Sequence, residues 1–200
     1  MHSALAIANY FIQAAIDHHL ATKDFPPGKV HGLVYLSHGW LLGTAGAAII
    51  DSPVAAHHDG VFIPALKEAG CWGTKNVTAL LSVVKMDAAR GVMTEQTPLL
   101  TPNNPTVPAL AWIWKTYGPL SSFRVTEHIR ESGSPWDTVW HNPDRTGEEA
   151  RTIPTVTIKA WFRKLSGKRS EDKKHSKLTA TQQLELKPRL DRTQQLLKKP

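Results

Sequence analysis

The chain has 200 residues, of which 41% are apolar and seven are tryptophan, enough to fill the core of one domain of ordinary size. Its single cysteine, Cys71, excludes an intramolecular disulfide and a cysteine-based zinc site, and fits a reducing compartment, the cytoplasm. The net charge of +7 directs attention to nucleic acid, but much of the excess lies in the C-terminal fifth, KAWFRKLSGKRSEDKKHSKL from Lys159 and QQLLKKP at the end.

In chain order, Ala4–Ala15 is interrupted by Asn9, Tyr10 and Gln13, so neither a signal peptide nor a membrane span is expected. Ser3 is placed to cap a first helix in which Ile7, Phe11, Ala14, Ala15 and His18 share a face, ending near Leu20. Phe25-Pro26-Pro27-Gly28 breaks the chain. Val30–Leu42 follows as the central core helix, with Val30, Leu33, Val34, Ser37, Trp40 and Leu41 on one face, and it is expected to pack antiparallel to the first. Ala47–Pro53 reads as a short extended piece and a turn, leading into the irregular segment Val54–Gly60. Pro64 suits the first position of a short helix that Gly70 and Gly73 stop.

Thr74–Lys85 carries Val77, Leu80, Leu81 and Val84 at helical spacing and is predicted as a helix. Thr97–Pro108, with four prolines, is a loop. Helices are predicted over Thr106–Tyr117, from Ser121 or Ser122 through Phe123, Val125, Thr126 and Ile129, and over Thr155–Leu165, where Ile158, Trp161, Phe162 and Leu165 form the stripe. Ser132–Trp136 reads as a terminator and His141–Gly147 as a polar loop. The fold class expected is a mainly α, single-domain helical bundle over residues 1–166, with at most a small extended element near Ala47–Val61. A flexible basic tail, 167–200, is too polar to fold alone.

Chemistry is sparse. Ten histidines include the pairs His18-His19 and His57-His58, which with Asp59, Glu127 or His128 offer metal-ligand types. Their spacing follows no metal motif, adjacent histidines ordinarily point apart, and no H-E-x-x-H occurs, so no metal or other cofactor is expected. Cys71 between Gly70 and Trp72 reads as a small packed hydrophobe, because a Cys–His dyad would need a third orienting group. GTAGAA at Gly43–Ala48 lacks the spacing and the lysine of a phosphate-binding loop. No enzyme is indicated. In the tail, Lys168, Arg169, Lys173 and Lys174 could give salt-sensitive contact with phosphates, diluted by Glu171 and Asp172.

Four stretches in this order resemble a known family: ALAIANYFIQAA at Ala4–Ala15, VHGLVYLSHGWLL at Val30–Leu42, AHHDGVFIPALKEAG at Ala56–Gly70, and YGPLSSFRVTEHIRESGSPW at Tyr117–Trp136 followed by IPTVTIKAWFRKL. Together they resemble the Panacea antitoxin domain family, also described as SocA-like and found in toxin–antitoxin loci and prophage genes. The resemblance implies a helical domain without catalytic apparatus that binds a cognate toxin, or hands a toxin to a protease, such as a Clp-type complex, as an adaptor. Loops on a rigid scaffold commonly carry binding, which makes His57, His58, Asp59, Phe62, Pro64 and Trp136 the candidate partner contacts. The alternative is a nucleic-acid-binding regulator using the basic tail.

Overall fold

In the computed structural model, residues 1–87, 91–144 and 149–167 are described. In order they form α1 (Ala4–Asp17), α2 (Pro27–Ala45), β1 (Ala55–His57), β2 (Gly60–Phe62), α3 (Pro64–Glu68), β3 (Val83–Asp87) and β4 (Val92–Gln96). Then come α4 (Val107–Tyr117), α5 (Ser122–Ile129), α6 (Pro135–Trp140), β5 (Arg151–Thr152) and α7 (155–167). With 48% of the described residues helical and two antiparallel sheets among them, the fold is mixed α/β, which overturns the expected mainly α bundle.

The helices start where their chemistry permits. Ser3 Oγ accepts from Leu5 N–H at the head of α1, and Ser121 and Ser134 do the same for Arg124 and Asp137 in α5 and α6. Prolines 27, 64 and 135 open α2, α3 and α6, where a missing N–H leaves no intrahelical bond unmade.

α2 is the axis of the molecule. Thirteen of its nineteen residues are buried, so it is enclosed on nearly every side instead of presenting the single apolar stripe its spacing suggests. α1, α4, α5 and β2 all pack on it. Small residues make this possible: a Cβ on Gly32 would stand 2.9 Å from Val125, and one on Gly39 would stand 2.1 Å from the Phe162 ring. At Gly43 the nearest atoms are the α7 backbone itself, 2.6 Å away. Thus α5 and α7 reach the α2 backbone through glycines.

In the first sheet β1 is central, pairing Ala55 with Phe62 on β2 and with Thr152 on β5. The strands are two or three residues long, too short for alternation to register in the sequence. The second sheet, β3–β4, replaces part of the helix predicted over Thr74–Lys85. Val83 pairs with Gln96 and Met86 with Met93, and Gly91 at φ 65° lies in the connecting turn. Val84, Met86 and Met93 are all exposed. Of the stripe at Val77, Leu80, Leu81 and Val84, only Leu81 is buried; the first three lie in irregular chain and Val84 lies in β3. Likewise α6 begins at Ser134-Pro135, where a helix end is predicted; the same serine and proline serve as cap and first residue.

Asn9, fully buried in α1, holds this excursion to the body. Its Oδ1 accepts from Leu81 N–H at 2.8 Å, and its Nδ2 donates to Leu81 O and Pro98 O, each at 2.9 Å. Every polar atom of the amide except one lone pair is used. Asn9→Ala would orphan three backbone groups, and a loss of about 3 kcal/mol is expected. Limited trypsin digestion should then cut faster at exposed Lys85. Unchanged cleavage together with unchanged stability would show that the hairpin is held elsewhere.

Candidate functional site

His57 and Gly60 pair across the tip of the β1–β2 hairpin, leaving His58-Asp59 as a two-residue loop. Gly60 takes φ 127°, a conformation that side-chain-bearing residues rarely adopt. The turn is clamped from within: Trp136 Nε1–H donates to both His57 O, at 2.9 Å, and Gly60 O, at 2.7 Å. At the tip, Asp59 Oδ1 lies 3.0 Å from His58 Nε2, and Asp59 Oδ2 lies 3.6 Å from His57 Nδ1. Burial, with the neighbouring His58 second, pushes the His57 pKa down, so its imidazole favours the neutral form.

The tip borders a cleft of about 670 Å³. The opening residues of α2, the 72–74 loop, the first turn of α5 and Arg130 form its other walls. Trp72 sits edge-on to His57 at 5.2 Å and to Phe62 at 5.3 Å between ring centroids, and Lys67 Nζ stands 5.1 Å over its face. Even so, Trp72 is 44% exposed, and Phe123 on the facing wall is 67% exposed. Arg130 lies over the Trp136 ring at 4.7 Å, and its Nε is buried without a hydrogen-bond partner among the described residues. The floor is polar but committed. His31 Nδ1 accepts from Ile63 N–H and its Nε2–H donates to Cys71 O, both at 3.0 Å, an arrangement that defines a neutral Nε2–H tautomer. Lys29, 2% exposed, donates to Asp24 O.

Of the six contact residues read from sequence, His57, His58 and Asp59 line the cleft, and Phe62 stands half-buried beside Trp72. Pro64 opens α3 as anticipated. Trp136 is 4% exposed and reaches the site through its indole N–H, so it positions the turn from inside. Lys168, Arg169, Lys173 and Lys174 lie outside the described residues. The contact residues read from sequence omit Trp72, which falls in the Gly70–Gly73 helix stop, and Phe123, which falls within the α5 helix whose buried edge is Val125 and Ile129. A tryptophan between two glycines, outside any apolar stripe, was the available signal, and both Gly70 and Gly73 take positive φ in the structure. Cys71 is 1% exposed and its thiol is pushed up to about 12 by burial, which makes it inert as a nucleophile at neutral pH.

Compared with models of known protein families, with curated proteins and with solved structures, the chain shows no significant match. Among the described residues, no helix is long and apolar enough to cross a membrane.

Proposed function

We infer that this protein is an antitoxin-like recognition module of the cytoplasm, binding a cognate toxin either to occlude it or to deliver it to a protease. The reading rests on the resemblance of the four sequence stretches to the Panacea antitoxin domains. What supports the cleft rim as the contact surface is the exposure there of Trp72 and Phe123, across a floor of buried, hydrogen-bonded groups. Large aromatics on a rigid frame lose little side-chain entropy when covered and supply most of the energy at protein interfaces.

The test is co-expression in a bacterial host with the product of the adjacent gene, scoring growth and co-purification. The expected result is that the neighbour is toxic alone, that this chain rescues growth in a stable complex, and that Trp72→Ala with Phe123→Ala weakens the complex by roughly 100-fold. A harmless neighbour, or rescue without a complex, would overturn direct neutralisation. The alternative use of the basic tail is separated by ending the chain at Gly167: toxin rescue should persist, whereas DNA retention at low salt should vanish if the tail contacts phosphates.

A further inference from the structure

We propose that His57, His58 and Asp59 form a site for a divalent transition-metal ion at the hairpin tip. Sequence spacing argues against it, since neighbouring residues on a strand face opposite ways. The two-residue turn removes that objection by bringing the imidazole rings to 4.1 Å between centroids. One donor atom from each of the three residues then lies within 4.8 Å of the other two. The carboxylate spans the two rings, Oδ1 at 3.0 Å from His58 Nε2 and Oδ2 at 3.6 Å from His57 Nδ1, near the roughly 3.4 Å that separates two ligands about 2.0–2.1 Å from a tetrahedral ion. Two imidazoles and one carboxylate are a donor set suited to zinc and its neighbours, with a remaining position open.

The site is also held in place. Trp136 fixes the backbone on both sides of the turn, through His57 O and Gly60 O. The His57 ring is lodged against Trp72 and Phe62, while His58 and Asp59, 60% and 70% exposed in their side chains, can close on an arriving ion. Binding displaces one weak bond, that from Asp59 N–H to His57 Nδ1 at 3.3 Å, and the His58–Asp59 contact. Opposing it are the positive charges of Lys67 and Arg130, which act on His57 and lower affinity without removing any ligand. The other adjacent pair differs: His18 stacks on Trp114 and has no place in a comparable cluster among the described residues.

Zinc titration of the full chain by calorimetry, with cobalt absorption as a second readout, tests the proposal. The wild type should take up about one ion per chain with visible cobalt bands of a low-coordinate nitrogen–oxygen site. His58→Ala and Asp59→Asn alter exposed side chains, so folding should survive, and each should weaken zinc by at least about 10-fold. A His18→Ala, His19→Ala double variant should bind as the wild type does. Absence of stoichiometric uptake, or affinity that follows the His18-His19 pair and ignores His58 and Asp59, overturns the site.

Discussion

Gly43→Ala, a change that in an exposed helix is worth about 1 kcal/mol of added stability, is expected here to cost about 3 kcal/mol. The new methyl group would meet Phe162 C at 2.6 Å and Arg163 N at 2.7 Å, and backbone cannot rotate away as a side chain can. α7 would have to move off α2, uncovering Ile158 and Phe162, both almost fully buried. Gly39→Ala should be comparably harmful for a separable reason, because its clash is with the Phe162 ring, which is wedged between Tyr35 at 5.7 Å and Trp40 at 5.6 Å. Urea unfolding of a double-mutant cycle distinguishes the two. In a Phe162→Ala background, Gly39→Ala should lose most of its penalty, while Gly43→Ala keeps it. Equal relief at both positions would mean that side-chain crowding alone sets the helix separation.

The second large effect is an acid sensitivity centred on α2. His38 is 5% exposed, its Nδ1 has no hydrogen-bond partner among the described residues, and burial lowers its pKa to about 4. The unfolded chain takes up this proton near pH 6.5, so stability is complete above that value and falls as pH drops towards 4. The expected loss is about 2–3 kcal/mol by pH 4.5. His31 adds in the same direction, because its pKa is lowered by burial and its protonation would break the bond from Ile63 N–H. His38→Leu removes an unsatisfied buried nitrogen and its proton-uptake site together. Its urea midpoint should match or exceed wild type at pH 7.5, and the decline to pH 4.5 should be visibly shallower. A decline as steep as wild type would place the acid sensitivity on other groups.

The helices were legible where a local signal coincided with burial. Ser3, Ser121 and the Pro64 start act as their residue types predict, and Val107–Tyr117 lies within a residue of its expected span. What misled was apolar spacing without burial: Leu80 and Val84 share a period with Leu81, but the segment is tied down by Asn9, a contact across 72 residues that no local window contains. The first sheet was illegible for a related reason: β1 and β2 are three residues each, too short to show alternation, and β5 joins β1 from a far part of the chain. For the site, the stretch Val54–Gly60, irregular by its sequence, holds strand β1 and the two-residue turn before Gly60. That Trp72 and Phe123 face one cleft depends on contacts between segments far apart in the chain, which no local window contains.

One indole hydrogen serving two carbonyls has a further meaning. Trp136 belongs to α6, stacks on Trp140 at 5.7 Å, and grips the hairpin on both sides of its loop. The tip is therefore preorganised: its backbone is already in one conformation before anything arrives, and little chain entropy is left to lose on contact. Encounter at this end of the molecule should resemble a rigid docking event, fast on and governed by the departure rate, with the adjustable freedom confined to the two exposed side chains that project from it.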